Sequence, residues 1–126
     1  FYDLESIQVL KGPQGTLFGR NSTGGAVLLT TARPRDEAGG YFSVWAGDYD
    51  EFKAEGAVNF AVVEDKALVR LAGFFQSHDG YQYNLFSQSR LGNTQRANAR
   101  FSLTLRPTAT FSNDLVIDYG ESKGNN

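Results

Sequence analysis

The chain has 126 residues, a net charge of −2, no cysteine and a single histidine, His78. Its length is that of one ordinary domain. Because the charge is nearly balanced, no broad basic surface is indicated, and we expect no nucleic acid partner. Without cysteine and with one imidazole, the chain has no disulfide framework and no cluster of thiolate or imidazole metal ligands. We therefore predict no metal and no cofactor.

A glycine-rich run, GPQGTLFGRNSTGGAV, occupies residues 12–27. A phosphate-binding loop needs two glycines five positions apart followed directly by lysine. Here Gly15 and Gly19 are four apart and Arg20 follows, and the dinucleotide pattern Gly-x-Gly-x-x-Gly does not occur. Glycines also serve tight turns and close packing, and Pro13 suits the first turn of a short helix. The run is therefore predicted to shape backbone and to include one helical turn.

Two short strands are predicted on either side of this run. Residues 5–11, ESIQVLK, alternate apolar and polar positions, and residues 26–32, AVLLTTA, have β-rich composition. A turn-rich stretch with Pro34 follows the second strand. Residues 1–38 are therefore predicted to form a small mixed α/β unit.

Long strands with two-residue alternation are predicted after Gly40. In residues 52–62 the apolar positions include Phe52, Val58 and Phe60, and lysine, glutamate and asparagine stand on the other face. Four further segments share this alternation: residues 40–47, 67–77, 96–106 and 114–121. The sequence therefore predicts an all-β dominated chain with about five antiparallel strands.

The lengths of these strands favour a membrane-spanning barrel. Soluble strands usually have about five or six residues, whereas eleven residues tilted by 45° rise about 26 Å, close to the ~25 Å apolar band of an outer-membrane barrel. Short turns at 63–66 and 107–110 alternate with a long polar loop at 78–95. Short turns are expected on the periplasmic side and the long loop outside. Because about five strands cannot close a membrane barrel, we expect the chain to be a piece of a longer protein.

The motifs resemble one family. The run IQVLKGPQGTLFGRNSTGGAVLLTTARP, residues 7–34, resembles the end of the plug of TonB-dependent outer-membrane receptors. The segments GDYDEF, VRLAGFFQSHDGY and RANARFSLTLRP resemble the first strands of that family's barrel. The resemblance implies that residues 1–38 are the C-terminal part of a plug domain. Residues 39–126 would then be the first strands of an incomplete transmembrane barrel.

The resemblance also implies a function. Such a receptor is not an enzyme; it takes up scarce cargo such as an iron–siderophore complex across the outer membrane of a Gram-negative bacterium. TonB would act on a segment absent from this chain, and the plug would gate the lumen. The expected partners are TonB, the lipid bilayer and a small-molecule cargo such as an iron chelate. The alternative is a soluble β-rich ligand-binding or adhesion module whose apolar faces form a closed core.

The residues expected to act in transport fall into four groups. The plug turns and gating segment contain Gly12, Pro13, Gly15, Gly19, Gly24 and Gly25. Polar contacts between plug and wall are assigned to Lys11 and Arg20, with exposed turn charges as the alternative. The lumen-facing set is Lys53, Glu55, Asn59, Arg70, Arg96 and Arg100. The candidate ligand contacts in the external loop are Tyr81, Tyr83 and Phe86, with loop-packing or membrane-interface aromatics as the alternative.

Overall fold

The computed structural model describes residues 2–12, 24–80, 82–86 and 89–124. Within these ranges the chain forms β-strands and no helix. The strands are β1 (Leu4–Lys11), β2 (Gly25–Thr31), β3 (Gly39–Gly47), β4 (Glu51–Val63), β5 (Ala67–His78), β6 (Gln82–Asn84), β7 (Ser89–Leu91), β8 (Thr94–Thr108) and β9 (Phe111–Gly124). No helix in this part of the chain has the length and apolar character to cross a membrane.

The chain divides into two compact units, of which the first comprises Asp3–Arg33 and the second Pro34–Asn126 with Tyr2. The first unit contains an antiparallel pair of β1 and β2, in which Ile7 lies opposite Leu29. The two predicted flanking strands are therefore confirmed. The predicted helical turn after Pro13 lies outside the described residues.

The second unit contains a five-stranded antiparallel sheet in the order β3-β4-β5-β8-β9. Each of these strands contains one of the five segments predicted from alternation. The four longer strands have 12 to 15 residues, well above the soluble average of about five or six. The predicted all-β antiparallel arrangement is confirmed, and the strands are longer than the alternation indicated.

At each end of this sheet one backbone hydrogen bond connects neighbouring turns. At one end the Asp79 N–H donates to the Tyr49 carbonyl at 2.9 Å. At the other end the Arg106 N–H donates to the Lys66 carbonyl at 2.7 Å. The long connection from β5 to β8 thus lies at the same end as the β3–β4 turn. It contains the small hairpin of β6 and β7, where the sequence predicted only a polar loop.

The strand register gives the five-stranded sheet one apolar and one polar face. The apolar face contains the row Val58, Leu71, Phe101 and Ile117, and the polar face contains the row Ala57, Ala72, Arg100 and Asp118. Phe42, Val58 and Ile117 on the apolar face are 75%, 52% and 54% exposed. The buried residues of the central strands lie on the polar face, with Val69 the exception: Ala57, Asn59, Leu68, Ala72, Ser102 and Thr104.

This distribution is opposite to that of a soluble sheet, which buries its apolar face against a second layer. No strand of the second unit packs across the apolar face in the described part of the chain, where every contact between strands joins sheet neighbours. An exposed apolar patch of this extent marks a surface that meets lipid or another protein. The fold therefore positions a polar surface for function on one side and an apolar contact surface on the other.

Candidate functional site

The polar face brings together all six residues that the sequence assigned to a lumen. Register places Lys53 beside Gln76 and Arg96, and Glu55 in the next row beside Phe74 and Asn98. Arg100 lies in the row after that of Glu55, and Asn59 and Arg70 are paired in the row beyond it. The six side chains thus share one face. Whether that face lines a lumen stays a prediction.

Arg100 forms the best-defined ionic contact on this face. Its Nε donates to Asp118 Oδ1 at 2.6 Å, across the pairing of β8 with β9. The arginine side chain is 13% exposed and the aspartate is half exposed. The second guanidinium nitrogen Nη1 is buried without a hydrogen-bond partner in the described structure. Arg100 therefore pairs with a carboxylate of the neighbouring strand.

An aromatic stack covers the same arginine. The Arg100 guanidinium carbon lies 5.0 Å from the centroid of the Tyr2 ring, within the range of a cation–π interaction. The Tyr2 ring in turn stacks on Phe74, with centroids 5.9 Å apart and planes inclined by 20°. Phe74 lies on the polar face beside Glu55 and Asn98. An apolar ring thus lies among the charged and polar side chains of this face.

Asn59 is the one buried residue of the six. It is only 5% exposed. Its carboxamide accepts a hydrogen bond from the Arg35 N–H and donates to the Arg35 and Glu37 carbonyls. Asn59 therefore lies on the predicted face, but its side chain binds the backbone of Arg35 and Glu37 and is not available to contact cargo.

The charges near the loop end of β4 form a small exposed network. Lys53 Nζ lies 2.6 Å from Glu51 Oε1, and the Gln76 amide donates to the same carboxylate oxygen at 3.4 Å. These groups are partly open to water, where an ion pair contributes at most about 1 kcal/mol. In the described residues no three His, Cys, Asp or Glu side chains come together as a metal site would require.

The described part of the glycine-rich run shows where backbone geometry demands glycine. Gly12 and Gly25 have φ values of +88° and +138°, and a Cβ on Gly25 would overlap the Leu10 carbonyl oxygen. Gly24 has open space around it. Lys11 is the exposed last residue of β1 and pairs with Gly25. Four further members of the predicted gating and wall sets lie outside the described residues: Pro13, Gly15, Gly19 and Arg20.

The predicted loop contacts are only partly described. Phe86 lies at the exposed tip of the β6–β7 hairpin, Tyr83 is in β6, and Tyr81 lies outside the described residues. Beside this hairpin the strand ends form an open polar cleft of about 430 Å³. His78, Asp79, Thr94 and Lys123 are among its lining residues.

Sequence reasoning missed two aromatic residues on the polar face and the structural role of Asn59. Tyr2 and Phe74 carry no local motif, since each aromatic fits a strand or its flank equally well. The role of Asn59 was missed because its partners lie 22 and 24 residues earlier in the chain. The alternating pattern did find Asp118 on the polar side of β9, but not its pairing with Arg100.

A long antiparallel meander with an exposed apolar face and a charged opposite face is typical of the wall of an outer-membrane barrel. Comparison with known proteins finds similar receptors. The chain is 35% identical to the ferrioxamine B receptor of Salmonella typhimurium over 77 residues, which cover 60% of this chain and 11% of that protein. It is 26% identical to the pesticin receptor of Yersinia enterocolitica over 106 residues, covering 83% of this chain and 16% of the receptor.

A third relative is the metal-pseudopaline receptor of Pseudomonas aeruginosa, 32% identical over 66 residues, which cover 52% of this chain and 9% of that receptor. A scan against models of protein families gave no match. These relatives are all TonB-dependent receptors, and the similarity supports that family for this chain. The chain spans between about a tenth and a sixth of the length of these relatives.

Proposed function

We propose that this chain is part of a TonB-dependent transporter in the outer membrane of a Gram-negative bacterium. Residues 1–38 would be the C-terminal part of the plug, and residues 39–126 the first strands of the barrel. The observation that carries the proposal is the exposed apolar face of the five-stranded sheet. Lipid is the solvent in which such a face is stable without a second protein layer.

The strand dimensions support this orientation. Strands of 12 to 15 residues at about 3.3 Å per residue, tilted by about 45°, rise roughly 28 to 35 Å, enough to cross the ~25 Å apolar band of the membrane. The charged residues Glu121 and Lys123 stand at the loop end of the apolar face, beyond its central rows. The polar face would then line the lumen with Lys53, Glu55, Arg70, Arg96 and Arg100.

Transport in this proposal is gated movement without bond chemistry. Cargo binds on the loop side, where Tyr81, Tyr83 and Phe86 offer aromatic contact area. TonB pulls on a segment of the full-length protein outside this chain. The gating segment around Gly12 and Gly25 then rearranges to open a path, and Lys11 and Arg20 connect the plug to the wall. Low local stability in such a segment would let it respond to the pull.

The proposed cargo is an iron or other metal chelate. The relatives are named as receptors for ferrioxamine B and for metal–pseudopaline complexes, and a shared wall region supports a related cargo class. Arg70 and Arg96 of the basic set would favour a chelate with anionic groups, whereas Arg100 is already paired with Asp118. Binding and release of a small chelate need no catalytic residue, so the protein is proposed to be a transporter and not an enzyme.

Uptake by cells that express the full-length protein tests this function. The host lacks its own receptors for ferrioxamine B and pseudopaline, and radiolabelled metal is supplied as each chelate in turn. We expect accumulation of at least one chelate in cells with TonB and none in matched cells without TonB. Equal uptake in both hosts would contradict TonB-dependent gating, and failure to take up either complex would contradict the proposed cargo class.

A further inference from the structure

Residues 34–38, which we call the connector, join the first unit to β3. The side chain of Asn59 forms three hydrogen bonds that hold the connector against the sheet. Asn59 Oδ1 accepts from the Arg35 N–H at 2.8 Å, and its Nδ2 donates to the Arg35 carbonyl at 2.8 Å and the Glu37 carbonyl at 2.6 Å. Both amide hydrogens and the carbonyl oxygen of Asn59 are thus used. The carboxamide pairs with the Arg35 backbone as a neighbouring strand would, through one donor and one acceptor.

The register places this contact at the start of an edge strand. Asn59 is the pairing partner of Gly39, the first residue of β3. In the described sheet β3 pairs only with β4. The Asn59 side chain therefore extends the attachment of β3 to β4 backwards by several residues, into a stretch that is not itself a strand.

Asp36 of the connector forms a second, weaker set of contacts. Its Oδ1 accepts from the Asp65 N–H at 3.0 Å, and its Oδ2 lies 3.7 Å from Arg106 Nη1. Both side chains of this ion pair are exposed, so water screens the pair and it contributes little. Asn59 is buried, and hydrogen bonds to buried groups are costly to leave unmade. The amide contact is therefore the main fastening.

A pull along the connector would otherwise act directly on β3. An antiparallel edge strand drawn from its end loses its hydrogen bonds one after another, beginning with the first pair. A side chain that holds the chain upstream of that pair receives the load first. We propose that Asn59 is the positioning residue that anchors the connector, so that a pull on the first unit does not peel β3 from β4. The role of the pull rests on the transport function proposed above; the anchor itself does not.

Only an amide suits this position. An aspartate here would have the same shape but no amide donors, and would place a carboxylate oxygen against the Arg35 and Glu37 carbonyls, so the substitution Asn59→Asp should lose both contacts to these carbonyls and keep only an acceptor for the Arg35 N–H. Asn59→Leu keeps the branching at Cγ and leaves the Arg35 N–H without its partner. Asn98 lies on the same polar face, two strands away in β8, and none of the connector hydrogen bonds described above involves it. The matched controls are Asn98→Asp and Asn98→Leu.

Hydrogen exchange of the full-length receptor in outer-membrane vesicles tests the anchor without any cargo or TonB. We expect the Arg35 amide of the unmodified protein to exchange at least about tenfold more slowly than an unstructured amide. Asn59→Leu should remove that protection, Asn59→Asp should weaken it because the aspartate keeps an acceptor but repels both carbonyls, and residues 67–72 in β5 should keep theirs. The Asn98 controls should match the unmodified protein. An unprotected Arg35 amide in the unmodified protein would overturn the proposal, and this observation requires no variant to fold.

Single-molecule pulling on the same receptor tests whether Asn59 bears the force applied along the connector. A handle on Arg33→Cys, just before the connector, applies constant force to the membrane-embedded protein. We expect β3 to detach at least about tenfold faster in Asn59→Leu than in Asn98→Leu, because a buried hydrogen-bonded group is costly to lose. Equal detachment rates, with Arg35 protection lost only in the Asn59 variant, would show that the anchor exists but bears no load, and would overturn the proposal. Loss of uptake alone would instead bear on the transport function.

Discussion

Replacing Leu71 by arginine is expected to strongly reduce the amount of full-length receptor that is folded in the outer membrane. Leu71 lies in a central row of the apolar face, between Val58 and Phe101, and its side chain is exposed. A cationic side chain facing lipid near the middle of the bilayer costs about 2–4 kcal/mol. The measurement is the free energy of unfolding in lipid vesicles, together with the level of folded protein in outer-membrane fractions.

Ser43→Arg is the matched control for this substitution. Ser43 lies on the polar face of β3, opposite Glu55, so the new charge meets a polar surface. We expect a change within about 0.5 kcal/mol, as for other surface substitutions. If Leu71→Arg were as mild as Ser43→Arg, the apolar face would not meet lipid.

Replacing Asp118 by alanine is expected to lower the free energy of unfolding by about 1–3 kcal/mol. The cause is Arg100, whose guanidinium is largely buried and donates through Nε to Asp118. With Nη1 already unpartnered, removal of the carboxylate leaves a buried cation supported mainly by the Tyr2 ring. Denaturant unfolding of the full-length protein in vesicles measures the loss.

Glu121→Ala separates this effect from the loss of any acidic residue on β9. Glu121 also forms an ion pair, with Lys123 at 2.8 Å, but both side chains are exposed. We therefore expect a change of no more than about 0.5 kcal/mol. If Asp118→Ala and Glu121→Ala lowered the free energy of unfolding equally, the burial of Arg100 would not make its ion pair more stabilising than an exposed one.

Alternation predicted most of the second unit because strand geometry is local. A side chain two positions along a strand returns to the same face, so residues 52–62 and 96–106 each defined their faces without knowledge of any partner. Matching apolar rows then favours a register in which Val58, Leu71 and Phe101 lie side by side, since a slip of one residue would exchange the faces. The same reasoning placed Asp118 opposite the apolar side of β9.

Contacts between distant parts of the chain could not be predicted in this way. In the sequence nothing distinguishes Asn59 from other polar residues of the wall. Only the folded connector shows that its amide binds Arg35 and Glu37. The Tyr2–Phe74 stack likewise joins residues with no shared pattern. The β6–β7 hairpin was missed because three-residue strands are too short to show periodicity.

Thiol accessibility in the full-length receptor tests most directly whether the apolar face meets lipid. Single cysteines are placed at Val58 and Ile117 on the apolar face and at Ser43 and Arg96 on the polar face, avoiding Asn59 and Arg100, whose side chains hold contacts. We predict that a membrane-soluble reagent labels Val58→Cys and Ile117→Cys, and that Ser43→Cys and Arg96→Cys react only with a water-soluble reagent. Shielding of the apolar pair from both reagents would place it in a closed core and contradict the account.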